Sequence, residues 1–184
     1  MSVVEESPGG DAPPGPDELA YRLRQQSVLA DFGIEALRAR ALDPLLQRAT
    51  ELCALGMQTH FAKFLERRTQ DDALFVRAGV GWPDGVVGVV EIRADLESPA
   101  GFAFKTGEAV ISNHLGNEKR FRTPKFMVEA GIHRAINVLV EASNERYGVL
   151  EVDSRDEGNF EEADLAFMQG FANIIGVAIE RQAA

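Results

Sequence analysis

Tyr147-Gly148-Val149-Leu150-Glu151-Val152-Asp153-Ser154, followed by Phe160 and then by Glu162-Ala163-Asp164-Leu165, is the stretch on which the fold of this chain turns. The apolar run through Val149, Leu150 and Val152 marks a strand over 147–153, followed by Ser-Arg-Asp-Glu-Gly. Glu161, Glu162 and Asp164 suit the positive end of a helix dipole. Behind them Leu165, Met168, Phe171, Ile175 and Ala178 recur every three or four residues, the buried stripe of a closing helix. Immediately upstream, Arg134 to Glu141 reads as an equally apolar strand. Ser143-Asn144-Glu145-Arg146 joins the two as a hairpin turn.

Upstream of this core the period changes. Phe61 to Leu65 and Leu74 to Ala78 read as strands separated by the polar run Arg67 to Asp72. Gly79, Gly81, Pro83, Gly85 and Gly88 mark a turning segment. Ser98 with Pro99 behind it predicts a short capped helix to Lys105, Ala109 to Ile111 a short strand, and Phe126 to Ala130 a further short helix. Two longer helices come first. One begins with Asp17 as its cap, carries Leu19, Leu23, Leu29, Phe32 and Leu37 as its stripe, and ends near Arg40. The other restarts at Asp43-Pro44, with Asp43 as its cap, and ends at Gly56, with Leu45, Ala49, Leu52 and Cys53 on one face. The order predicts an α+β fold with the helices gathered on one sheet face.

The chain has 184 residues, enough for one domain, residues 17–184, after an acidic Pro/Gly-rich tail over 1–16. That tail buries too little apolar surface to offset ordering and reads as disordered. The formal charge of -10 disfavours nucleic acid, and about half of the excess sits in the first 18 residues. No apolar run is long enough for a membrane span, and the N-terminus does not resemble a signal peptide. With one cysteine, Cys53, no intramolecular disulfide forms, and a cytoplasmic protein is expected.

Several stretches in order resemble the GAF family of bacterial sensor kinases and related signalling proteins. Arg77-Ala78-Gly79-Val80-Gly81-Trp82 is similar to its second strand and turn, Arg120-Phe121-Arg122-Thr123-Pro124 to the segment before its fourth helix, and 147–154 with Phe160 and 162–165 to its closing strand, Asp-Ser turn and final helix. The likeness covers roughly residues 20 to 182. It implies a central antiparallel sheet of about six strands, with the first, second and last helices on one face and loops and short helices roofing a ligand cavity on the other. It also implies a sensory or regulatory module of a bacterial signalling system, such as a two-component system, and not an enzyme. Such modules dimerise through the terminal helices and pass the signal to an output domain such as a histidine kinase. Nothing resembling an output domain follows Ala184, so the chain is expected to be a piece of a longer protein or to act alone.

The residues narrow the ligand classes that the resemblance brings. Bilin attachment needs a suitably placed cysteine, and Cys53 falls on a helix on the wrong side of the sheet. The GAF-type methionine sulfoxide reductases use several cysteines, and one cannot form a redox pair. Asn117-Glu118-Lys119 followed by Phe121 has only a superficial likeness to the cyclic-nucleotide signature. His60, His114 and His133 show no metal-ligand spacing, so neither a metal nor a cofactor is expected. Ser112 and Ser154 have no nucleophile-elbow context.

Two polar interruptions stand out. Asn137 breaks Ala135-Ile136-Asn137-Val138-Leu139, and Glu151 breaks Val149-Leu150-Glu151-Val152. Buried polar groups need partners. Asn137 and Glu151 are therefore expected to form the floor of a small-molecule site, or else to be satisfied by water or by a roof residue such as His133 or Arg134. Phe121, Phe126 and Met127 are expected as its lid, with Trp82, Phe102 and His133 as further ligand-binding residues. The alternative is a filled roof and a domain that only dimerises.

Overall fold

The two longest strands are buried without alternation over most of their length, because the sheet is covered on both faces. The computed structural model describes residues 15–183. The expected tail over 1–16 lies outside the described residues except for its last two, and Pro16 is already the first residue of a helix. The elements are α1 (Pro16–Arg38), α2 (Leu42–Gly56), β1 (Phe61–Arg68), β2 (Ala73–Val80), β3 (Glu91–Arg93), α3 (Pro99–Thr106), β4 (Val110–Ser112), a 3-10 turn (Leu115–Asn117), α4 (Lys125–Glu129), β5 (Arg134–Ala142), β6 (Glu145–Ser154) and α5 (Glu162–Ala183). The strands form one antiparallel sheet of six in the order β3-β2-β1-β6-β5-β4. The α+β architecture expected from the order of elements is therefore present. The strand missed in the sequence is β3, whose three residues follow the Gly-rich turning segment and are too few to carry a period.

On one face, Ala62, Phe64, Ile136, Val138, Val140, Leu150 and Val152 meet α1, α2 and α5 in the main core. Phe32 of α1 stacks on Phe171 of α5 with centroids 4.6 Å apart, which ties the two terminal helices together. Gly176 is where α5 crosses β5, and a side chain there would run into the Glu141 carbonyl. The β5–β6 hairpin turns through Ser143 and Asn144, both at positive φ (53° and 63°), the geometry that two-residue hairpin loops demand.

Three local expectations need correction. The N-cap of α1 is Gly15 and that of α2 is Ala41, neither with a side-chain cap bond. Asp17 and Asp43 instead sit inside the first turns, and Asp43 pairs with Arg77 at 2.7 Å. In both cases a proline or a short linker had already set the helix entry, so the carboxylate was free for other work. The stripe of α1 is also rotated from the expected one. Gln25, Val28, Phe32 and Ala36 face the core, while Leu19, Leu23, Ile34 and Leu37 are exposed. Only Phe32 of the expected set is fully buried, because α1 has two apolar stripes and one of them is left uncovered.

Ser98 does cap α3, accepting from the Gly101 amide at 2.8 Å. Cys53 is buried in the helix-side core, and burial pushes its thiol above the usual range. A neutral, enclosed thiol reacts slowly. In the native protein Cys53 should therefore resist thiol reagents and become reactive only with denaturant. Rapid labelling of the folded protein would contradict the placement of α2.

Candidate functional site

The other sheet face holds the polar residues. The pairing Val110–Asn137–Glu151–Lys63 runs across β4, β5, β6 and β1 as one register row, and Ala135–Asp153–Phe61 forms the next row. Directly opposed residues project to the same face. Asn137, Glu151, Asp153 and Lys63 therefore converge beneath the roof, and all four are wholly buried (0% exposed). The Lys63 ammonium donates to Asp153 Oδ2 at 2.7 Å and lies 3.0 Å from Glu151 Oε2, the latter an ionic contact not aligned as a hydrogen bond. Its remaining neighbours are soft. Met127 Sδ lies at 3.7 Å, the Trp82 ring at 4.5 Å and the Phe126 ring at 5.4 Å.

Charge and burial set the protonation. Burial raises the Glu151 carboxyl well above the usual carboxylate range, and the Asp153 charge adds to this while Lys63 opposes it. Burial alone would lower the Lys63 ammonium, but Asp153 and Glu151 more than reverse this, so Lys63 stays protonated. One internal cation thus faces two carboxylates, and the neutral arrangement keeps a proton on Glu151.

Satisfaction of the polar atoms is incomplete. Among the described residues, both amide atoms of Asn137 lack a hydrogen-bond partner, as do Asp153 Oδ1 and both Glu151 oxygens. Buried polar atoms without partners are costly and rare. Neither residue expected as a protein partner for Asn137 supplies one. His133 is exposed, and its backbone amide donates to the Ser154 carbonyl. Arg134 alternates to the opposite sheet face from Asn137. There it donates to Ser154 Oγ and the Asp156 carbonyl and covers the Phe160 ring.

The aromatic roof falls into two groups. Trp82 and Phe126 pack edge to face at 5.3 Å above Lys63, with Met127 buried beside them. Trp82 is pinned by a 3.1 Å bond from its indole N–H to the Ala62 carbonyl. Phe102 and Phe121 form a second pair at 5.5 Å, in the same roof core with Val110 and Ala135. Phe121 and His133 also border a separate surface cleft of about 490 Å³ with Leu115, Glu118 and Ile132. The structure thus brings Asn137, Glu151, Trp82, Phe126 and Met127 into one site, sets Phe102 and Phe121 beside it, and leaves His133 outside. Lys63 and Asp153 were missed in the sequence. Lys63 interrupts Phe61-Ala62-Lys63-Phe64-Leu65 just as Asn137 interrupts its strand, and Asp153 is in phase with Glu151, so the same signal marked both.

The other candidate groups are committed elsewhere. Ser112 donates to Glu118 Oε2 at 2.7 Å, and Glu118, held by Arg120 and this hydroxyl, is lowered to about 2. His60 and His114 are exposed on separate segments. Among the described residues, no group of three or more His, Cys, Asp or Glu is arranged to hold a metal ion, and no helix is long and apolar enough to cross a membrane.

Comparison with known proteins bears on the arrangement as a whole. The sequence matches the family profile described as GAF domain over residues 39–180. No curated protein matches by sequence. Solved structures with the same fold include the GAF domain of an Acinetobacter phosphoenolpyruvate-protein phosphotransferase (18% identity, TM-score 0.75, covering 86% of this chain and 94% of that one). A free methionine-R-sulfoxide reductase from Neisseria meningitidis, in complex with its substrate, is similar at 18% identity and TM-score 0.76, over 89% of this chain and 93% of that one. A phycoerythrobilin-bound GAF domain from a cyanobacterial phytochrome is similar at 15% identity and TM-score 0.69, over 86% and 96%. At such identities the likeness establishes the fold alone.

The buried floor makes stability depend on pH. Above the ordinary carboxyl range but below the raised range of Glu151, the folded protein holds a proton that the unfolded chain has released. Stability contributed by that proton is complete below the unfolded value and is lost as pH rises through the folded one. Chemical denaturation across this window should show wild-type stability falling with rising pH. Glu151→Gln, which mimics the protonated acid, should flatten that fall. An unchanged slope in the variant would remove Glu151 as its source.

Proposed function

The chain belongs to the GAF domain family, and on that premise we propose that it is a sensory or regulatory module. It binds a small molecule over the roof-side sheet face and passes the event through α1 and α5 within a homodimer. The observation that carries this reading is the Asn137 amide, enclosed on the sheet floor with neither its donor nor its acceptor paired. A ligand bearing a complementary donor and acceptor satisfies both. Trp82, Phe126 and Met127 supply the apolar cover that small-molecule sites combine with a few placed polar groups. A regulatory role, and not catalysis, is supported by the distance of the one thiol from this floor, since Cys53 lies in the helix-side core. We place the module in the cytoplasm as part of a bacterial signalling system, serving a histidine kinase or another output domain.

The uncovered stripe of α1 supports the dimer. Leu37 and Val177 are 78% and 63% exposed, and they border an apolar groove of about 260 Å³ with Gly33, Ala36, Ile174 and Ala178. Burying such area is worth roughly 25 cal/mol per Å². Sedimentation at roughly tens of micromolar should show a dimer, and Leu37→Asp with Val177→Asp should shift it to monomer. A wild-type chain that sediments only as monomer contradicts the transmission route.

A second reading, a ligand-free dimerisation module, draws on the complete burial of the floor beneath packed rings. A thermal-shift screen of small metabolites separates the two. The binding reading expects a hit that Asn137→Leu abolishes while the variant itself stays folded. An apolar residue of similar size leaves no amide unpaired and costs about 1 kcal/mol or less. A hit with equal shifts in both proteins lies at another site, and the absence of any hit favours the ligand-free module.

A further inference from the structure

We propose that the floor is a cation subsite, taking the protonated amine or amidine head of a small nitrogenous ligand beneath Trp82 and Phe126. This rests on the ligand-binding reading above and assigns its ligand a chemical class. Two independent observations lead to it. The first is the count of charges. Glu151 and Asp153 share one internal cation, Lys63, so the sheet provides one carboxylate more than its own ammonium neutralises. The second is Asn137, wholly buried, directly opposite Glu151 in register, with both amide atoms unpaired.

The unpaired atoms also describe the missing partner. Once Glu151 ionises, Asp153 Oδ1, Glu151 Oε1 and Asn137 Oδ1 are the open acceptors, and only Asn137 Nδ2 donates. A complementary ligand is therefore rich in N–H donors, with at most one acceptor beside them. An anionic head would face two carboxylates with a single lysine already committed to both. The roof suits a cation as well, because Trp82 and Phe126 already present their ring faces to an ammonium, that of Lys63.

Burying a ligand charge is costly unless it is compensated. Compensation is available without moving any protein charge. In the free protein Lys63⁺, Asp153⁻ and protonated Glu151 sum to zero. When a monocation enters, Glu151 releases its proton to solvent, and Lys63⁺, Asp153⁻, Glu151⁻ and the ligand again sum to zero. The charged and titratable groups facing Glu151 are Lys63 on β1 and Asp153 on its own strand, with the uncharged amide of Asn137 from β5. The roof over Lys63 contributes Trp82, Phe126 and Met127, none of which titrates. Cation binding therefore tightens as pH rises toward and through the range where Glu151 ionises, and it releases a proton below that range.

Benzamidinium, benzamide and benzoate test this, because they keep one planar shape and change only the charge and donors of the head group. Thermal unfolding is followed for wild type, Glu151→Gln and Asn137→Leu, each checked for native circular dichroism. Glu151→Gln keeps the neutral form already present in the free protein, so it folds, but it cannot ionise. For wild type, benzamidinium at about ten times its dissociation constant should raise the Tm by about 3–5 °C. Benzamide should give less than half that shift and benzoate none. The benzamidinium shift should grow between mildly acidic and mildly alkaline pH and fall by at least half in Glu151→Gln. No wild-type shift with benzamidinium, equal shifts with benzamide, or an undiminished shift in Glu151→Gln each overturns the cation subsite. If benzamide or benzoate stabilises wild type as well as benzamidinium does, and Asn137→Leu abolishes that effect, the ligand-binding reading stands and only the cation assignment fails.

Discussion

The Lys63 ammonium, held between Asp153 and Glu151 with no contact with solvent, is the interaction around which the roof side of this sheet is organised. A buried ion pair is no simple gain in stability, since desolvation offsets much of the Coulombic attraction. Its effect here is to fix geometry. The pairing joins the central strands β1 and β6 on their roof face, and the aromatic rings above Lys63 adopt positions that present their faces to it. On the opposite face of the same strands, Ala62, Phe64, Leu150 and Val152 pack into the helix-side core, which is where most of the stabilising burial lies. One sheet thus combines a face that holds the fold together with a face whose polar groups are incompletely satisfied. Departures from local consistency of this kind gather at functional sites.

The pattern of strands and helices was legible because β5 and β6 are long apolar runs and α5 carries a sustained period of 3.6. The turn read over Ser143 to Arg146 tightens in the structure to Ser143-Asn144, because Ala142 already pairs with Glu145. What the sequence could not disclose was which of two apolar stripes on α1 meets the core. Leu23 and Phe32 are equally hydrophobic in composition, and only the position of Phe171 on α5 decides between them. The caps misled for a related reason. Asp17 and Asp43 have the right chemistry at nearly the right place, but Gly15 and Ala41 already adopt the extended backbone that begins each helix.

Half of the buried floor was legible by a rule that would have found the rest. A polar residue in an apolar strand announces a buried partner, and this identified Asn137 and Glu151. Applied to Phe61-Ala62-Lys63-Phe64-Leu65 it identifies Lys63 too. A lysine in a strand is usually read as a solvated edge position, and β1 is recognisable as central only once β6 and β2 flank it. His133 shows the reverse error. Its neighbour Arg134 falls on the helix side by alternation, and His133 itself precedes the strand, where its side chain turns to solvent.

The same strand connects this floor to the terminal helices. Asp153 ends the floor, and the next residue, Ser154, receives the Arg134 guanidinium through its hydroxyl and the His133 amide through its carbonyl. Arg134 in turn covers Phe160, and the following turn opens α5 at Glu161 and Asp164. Asp164 is where α1 attaches. Arg22 at 2.7 Å, Gln25 at 3.1 Å and Tyr21 at 3.4 Å all donate to its Oδ1. A single carboxylate thus carries three bonds from α1 while its other oxygen accepts the Glu161 amide at the start of α5. Spatial continuity alone does not make a signalling route, which needs an element with two states that both ends bias. In the proposed binding reading, the proton on Glu151, two residues from Asp153 on β6, supplies the two states. A change in its charge alters the pull on Lys63 and so the division of that ammonium between Glu151 and Asp153. Asp153 sits seven residues before the ring that Arg134 covers, so β6 leads directly from the floor to the turn that precedes the junction of α1 and α5.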